Sequence, residues 1–328
     1  MNRTKEYPGF WHAVLLCVMF VALQMIFLVP FGILDAILKL RTATHPAVLG
    51  FVNLSACALV LTMGWLIGRP AMAEVYAWRR VSGEAVVAVT IASGGAIILV
   101  SELDNLVRKI LPAPEWIVRF FRDLSSPSEH LFASVFLLVL VAPVTEELLF
   151  RGLILRGFLQ RFRIPGAFLL SSMLFGVTHL NPWQFVSASA LGLMFAWWYA
   201  RTRSLVPSLI GHALVNAMVV GHRWLPFEVR GFNAGEPFAS TELQPLWFDA
   251  LGILLLATGL WLFHRATPPI QMRAEPSAEP TLPEGGPHPA VPPVIAPPGT
   301  GTPPPQPSIS TPRSEQSLPL PPRGRGER

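Results

Sequence analysis

Charge is scarce in this sequence. Asp, Glu, Lys and Arg make up 14% of its 328 residues, against about 25% in an ordinary soluble domain. So few charges cannot keep a globule of this size in water, which excludes a water-soluble enzyme and points to a membrane protein. Cysteine is nearly absent: Cys17 and Cys57 both lie in apolar runs. They make neither a disulfide framework nor a CxxC metal site, and are expected as small buried apolar side chains. There is no internal repeat, GxGxxG or P-loop, so the common phosphate-cradling signatures are missing, as is the HExxH of soluble zinc proteases. The net charge is +5, but the basic residues lie between apolar runs and in the C-terminal region rather than in one patch. No nucleic-acid partner is expected.

What the chain has is apolar sequence, 52% of it. Since roughly 20 apolar residues cross a bilayer core, eight spans are expected, near 10–32, 47–68, 84–101, 130–150, 166–180, 182–200, 205–221 and 246–264. The first is too long for a signal-peptide core and has no small-residue cleavage site, so a retained helix is expected. The fold class is therefore all-α, a polytopic bundle of about eight transmembrane helices over 1–267. From Pro268 to Arg328 the composition changes: this stretch holds 19 of the 33 prolines and few aliphatics. It cannot bury a core and is expected to be a disordered, Pro-rich tail. Its "PPPQP" run is the sole hint of a tail partner. Counting Lys and Arg in the loops gives twelve on the side of both termini and eight on the other, which puts both termini in the cytoplasm.

Ionisable residues inside apolar spans are costly and are functional candidates. Three groups occur. In "TEELLFR", Glu147 and Arg151 stand i, i+4 on a helix and can pair, while Glu146 points about 100° away, with Pro143 upstream to loosen the helix. "FGVTH" puts Phe175 and His179 at the end of the fifth span, and "HALVN" puts His212 and Asn216 on one helix face. Each has a plain structural reading: a charge cluster at a membrane end with Arg151 snorkelling, an interfacial histidine, and helix–helix hydrogen bonding. Together they supply what hydrolysis needs. A carboxylate beside a histidine can activate water; a histidine with an amide can stabilise an oxyanion. The same Glu, His, His set could instead hold a metal.

In order, Glu146-Glu147-x-x-x-Arg151, Phe175-x-x-x-His179 and His212-x-x-x-Asn216 resemble the motifs of the CPBP family, the CAAX proteases and bacteriocin-processing enzymes also called the Abi family of intramembrane proteases. The resemblance covers about residues 130–222. It implies an intramembrane endopeptidase acting on a membrane-associated, prenylated or leader-bearing peptide or protein. In that family pattern Glu146 activates water held by His179, His212 and Asn216 stabilise the oxyanion, and Glu147, Arg151 and Phe175 orient the site. The family has been described both as metal-free glutamate proteases and as metalloproteases. Two cofactor readings follow: none, or one divalent metal, zinc for example, on Glu146, His179 and His212. The implied location is a bacterial inner or plasma membrane, with the lipid bilayer as the constant partner. The alternative is a non-catalytic membrane scaffold, transporter or bacteriocin-immunity protein. The two diverge on one question: whether Glu146 faces a cavity lined by His179, His212 and Asn216.

Overall fold

The apolar runs become helices in the computed structural model, which describes residues 7–125, 130–234 and 242–270. Nearly all of the Pro-rich tail, from residue 271 on, lies outside the described residues. Apart from the short turns Met72–Val75 and His222–Trp224, the helices are α1 Phe10–Leu38, α2 Pro46–Gly68, α3 Gly83–Ile110, α4 Glu115–Ser125, α5 Leu131–Phe158, α6 Ile164–Val177, α7 Pro182–Thr202, α8 Val206–Gly221 and α9 Leu246–Ala266. No strand occurs among the described residues. Eight of these helices answer to the eight expected spans.

Helix starts follow local chemistry. The Ser82 hydroxyl accepts the Ala85 N–H at 3.2 Å and opens α3. The Asn181 side chain accepts the Trp183 N–H at 3.0 Å and opens α7, with Pro182 in its first turn. A capping oxygen and a proline whose missing N–H has no helical partner anyway both favour a start there.

Two expectations need correction. Residues 115–125, outside the eight expected spans, form α4, which buries Ile117 and Val118 and carries an exposed Glu115–Arg119 pair at 3.7 Å. Eleven residues carrying charges fail any test for a membrane span, so the span search passes over such a helix. Second, α3 runs nine residues past the expected end at 101. Charge begins at Glu102, yet the helix continues because Asn105 and Arg108 turn inward and are buried.

Five helices, α1, α2, α3, α5 and α9, are long and apolar enough to cross a membrane. α6 and α8, with 14 and 16 residues, reach only about 21–24 Å at 1.5 Å per residue, short of a core about 30 Å thick. Polar groups near their ends thus fall within membrane depth, where they are tolerated if they face a cavity.

α3 and α9 pack through small residues. A Cβ on Gly95 would stand 2.3 Å from the Leu256 nitrogen, and one on Gly259 would stand 2.3 Å from the Ala92 nitrogen. Such close backbone approach is the usual solution where lipid gives helices no hydrophobic reason to associate. One apolar cluster includes Leu149, Phe150 and Phe175; another joins α3, α7 and α9 through Val89, Phe195, Trp198 and Phe263.

α5 is irregular where the site lies. Two π-helical stretches, Phe136–Val141 and Leu148–Leu155, flank the α-helical turn Ala142–Glu147. In the first, the Ala142 N–H reaches back to the Leu137 carbonyl. The same i, i+5 pattern would give the Leu138 carbonyl to residue 143, a proline with no N–H. That carbonyl is left for another helix.

Gly95→Ala should lower stability by roughly 1–3 kcal/mol through overpacking, read as thermal unfolding in detergent. Gly94→Ala is its control, since nothing stands within 4 Å of a Cβ there; it should leave the transition unchanged or raise it.

Candidate active site

Glu147 and Arg151 lie one turn apart on α5 and are 0% and 1% exposed. Arg151 Nη1 meets Glu147 Oε1 at 3.0 Å. Its Nη2 donates to the Gly192 carbonyl on α7 at 3.2 Å. The guanidinium carbon lies 4.7 Å from the Phe175 ring centre and 5.2 Å from that of Phe195. Carboxylate, carbonyl and two aromatic faces together make burial of this cation tolerable. Gly192 is required for the approach: a Cβ would sit 3.0 Å from Ser172 Cβ on α6. With 1% exposure, Arg151 does not snorkel to the interface.

The same oxygen, Glu147 Oε1, also takes the Nδ1–H of His212 from α8 at 3.0 Å. A carboxylate oxygen only accepts, so Nδ1 carries the proton. Nε2 then faces Glu146, with Oε2 3.7 Å away. The imidazole stacks on Phe195 at 5.3 Å and meets Phe175 edge-on at 5.8 Å. The sequence paired Glu147 with Arg151 alone; in the fold Glu147 serves two cations or donors at once. Glu146 has no partner on its own helix, as its spacing implied, and turns toward His212.

Asn216, one turn beyond His212, donates from Nδ2 to the Leu138 carbonyl at 2.8 Å. This is the acceptor that Pro143 leaves without a partner. The geometry also settles which way the amide points, because a carbonyl cannot donate. His179 lies just past the end of α6 rather than on it, in the turn before Asn181. Its Nδ1–H donates to the Phe175 carbonyl at 2.9 Å, and its ring stands edge-on to Phe175 at 5.0 Å. That leaves Nε2 as the ring's unbonded nitrogen.

Glu146, His179, His212 and Asn216 line one cavity of about 260 Å³. Those four side chains reach a common space from α5, the turn after α6, and α8, and α3 and α7 complete its wall. Asp104, Gln184 and Ser187 line it too and were not foreseen. Asp104 lies beyond the apolar run that ends before Glu102, so a reading of apolar spans does not reach it. The available signal was helical spacing, since Asp104 continues the face of Ile97 and Val100.

The set Glu146, His179 and His212 does not fit a metal as it stands. Among the described residues no three His, Cys, Asp or Glu side chains converge closely enough to hold one. The bonds at His212 Nδ1 and His179 Nδ1 leave each Nε2 as the nitrogen toward a ligand, so the misfit lies in the separation of the three side chains. No step below runs through a metal.

Comparison with known proteins bears on the segment that carries the three motifs. Residues 128–218 match the family described as type II CAAX prenyl endopeptidase Rce1-like. YdiL of Bacillus subtilis, described as a candidate membrane peptidase, is 32% identical over 81 residues, which is 25% of this chain and 33% of that protein. The UPF0177 protein YxdF of Lactococcus lactis is 33% identical over 82 residues, 25% of this chain and 45% of the other. The chain thus matches a third to under half of the length of these relatives. No solved structure matches. The resemblance to the CAAX-protease family is borne out on that segment, and with five membrane-length apolar helices the chain is an integral membrane protein.

Breaking the buried pair should cost about 3–5 kcal/mol. Glu147→Gln and Arg151→Met should each lose most folded protein in detergent, measured by thermal unfolding, and the double variant should recover part of the loss. Arg151→Lys should not rescue, because one ammonium cannot span Glu147 and Gly192 in the planar fork of a guanidinium.

Proposed function

We propose that the chain is an intramembrane endopeptidase of the CAAX-protease type. It hydrolyses a peptide bond of a membrane-associated, prenylated or leader-bearing substrate. The observation that carries this reading is the shared cavity: a carboxylate, two imidazoles and an amide around a space large enough for a peptide bond and a water molecule.

The chemistry divides among these groups. Water held by Glu146 and His179 Nε2 loses a proton to the Glu146 carboxylate as its oxygen adds to the peptide carbonyl carbon. The carbonyl π pair moves to oxygen. That oxyanion is met by Asn216, through the Nδ2 hydrogen not given to Leu138, and by His212 Nε2–H. Donation from Nε2 requires the imidazolium, since Nδ1–H is given to Glu147. The intermediate collapses as the carbon–nitrogen bond breaks, and the nitrogen takes the proton from Glu146. The products are one new carboxylic acid and one new amine, which exchange a proton to become carboxylate and ammonium.

Membrane placement supports access for such a substrate. α6 and α8 bring His179, His212 and Asn216 to membrane depth, and the Lys and Arg count of the loops supports a cytoplasmic side for both termini. The reading invokes no metal; the lipid bilayer and the substrate are its partners.

Purified protein in detergent should cleave a prenylated peptide. Glu146→Gln should lower kcat by about 10²–10⁴-fold, the range for loss of a general base, with the thermal transition unchanged. Wild-type cleavage with Glu146→Gln would remove Glu146 from the mechanism. Excess chelator should leave the wild-type rate unchanged; loss of activity restored by added zinc would overturn the metal-free reading.

A further inference from the structure

Glu146 is not the only carboxylate facing the cavity. Asp104, on α3, lines it as well, and also lines two smaller adjoining cavities of about 140 and 20 Å³. It stands where the three spaces meet. The larger of these shares Val100, Val215 and Val219 with the main cavity, so the three valines and Asp104 form their common wall. Oδ1 of Asp104 is buried and has no hydrogen-bond partner among the described residues.

The position is not loose. Arg108, one turn along α3, donates to Asn105 Oδ1 at 2.8 Å. Asn105 in turn donates to the Gly231 carbonyl at 2.6 Å and to Glu102 Oε2 at 3.1 Å. Glu102 accepts the Gln244 N–H at 2.9 Å. This network binds the polar end of α3 to the loops that precede α9, and the Ser187 hydroxyl of α7 faces the Asp104 carboxylate. Arg108 lies near enough to attract the Asp104 carboxylate, but Oδ1, a buried acceptor with no donor on it, is costly, and such exceptions ask for an explanation.

Peptide hydrolysis supplies a missing donor. In the proposed reaction, Glu146, His179, His212 and Asn216 serve the carbonyl carbon and its oxygen. Nothing yet serves the nitrogen, which carries an N–H in the substrate and leaves as an amine. We propose that Asp104 is a substrate-binding residue for the leaving-group nitrogen, accepting the scissile N–H in the bound peptide and the N–H of the departing amine. It transfers no proton; Glu146 returns the one it took. This inference rests on the peptidase reading and adds a residue outside the three motifs.

A depsipeptide separates this role from a structural one, because an ester oxygen replaces the scissile N–H and removes the donor. Take a prenylated peptide that the purified enzyme cleaves and its depsipeptide analogue. Asp104→Asn should lower kcat/KM for the amide by about tenfold, the size of a hydrogen bond to a charged acceptor. The ester should change less than about twofold, and Asp104→Glu should restore part of the amide rate. A parallel fall with both substrates would make Asp104 structural, and no change with either would remove it from the site; both overturn the proposal. Glu146→Gln should lose both substrates alike. If it does while the amide-to-ester ratio ignores Asp104, the peptidase reading stands and this inference falls. If the wild-type protein cleaves neither substrate, both fall. A second measurement needs no turnover. In the inactive Glu146→Gln protein, adding Asp104→Asn should weaken binding of the amide peptide about tenfold and leave the ester peptide's affinity as it was; equal affinities for both would contradict the proposal.

Discussion

A single buried oxygen, Glu147 Oε1, organises the site. It takes Arg151 from its own helix and His212 from α8. Through Arg151 the connection extends to the Gly192 carbonyl of α7 and the ring of Phe175 on α6. Four helices therefore converge on one carboxylate. A buried ion pair is weak evidence for stability, because desolvation offsets most of the Coulomb gain. Its effect here is specificity: an alternative packing of these helices would leave a charge buried without its partner. That penalty falls on the arrangements to be avoided, and it ties the register of α5 against α6, α7 and α8 to the position of two side chains.

The irregular backbone of α5 does the complementary work. A regular helix would close every carbonyl onto its own N–H groups. The π stretch before Ala142 shifts the pattern by one residue, and Pro143 then has no N–H to give Leu138. Asn216 fills the gap at 2.8 Å, which sets both the distance of α8 from α5 and the direction of the amide. π-helical turns often mark functional sites, and the consequence of this one is the open Leu138 carbonyl that Asn216 takes. It converts a backbone defect into the orientation of a side chain that faces the cavity.

Much of this was legible before any coordinates. The costly residues in apolar spans, Glu146, Glu147, Arg151, His179, His212 and Asn216, are the ones that meet, because burial in lipid allows few other fates for them. Spacing alone separated Glu147 from Glu146. Other features could not be read. The bond between Glu147 and His212 joins residues 65 positions apart, and no local periodicity encodes it. The π stretches leave no mark in the apolar pattern of α5. α4 is too short and too charged to register as a span. Asp104 was hidden by the assumption that a membrane helix stops at its first charges, whereas α3 carries Glu102, Asn105 and Arg108 onward by giving them partners in loops far along the chain.

The account rests on a division of labour between adjacent carboxylates: Glu147 braces, and Glu146 stays open to the cavity to activate water. The sharpest measurement is a single turnover in water of heavy oxygen, with mass analysis of both the product and the Glu146-containing fragment of the enzyme. The account predicts the heavy label in the new carboxyl group of the cleaved substrate and none in Glu146. Heavy oxygen in the Glu146 carboxylate would mean that this side chain attacks the peptide itself, and would contradict the account.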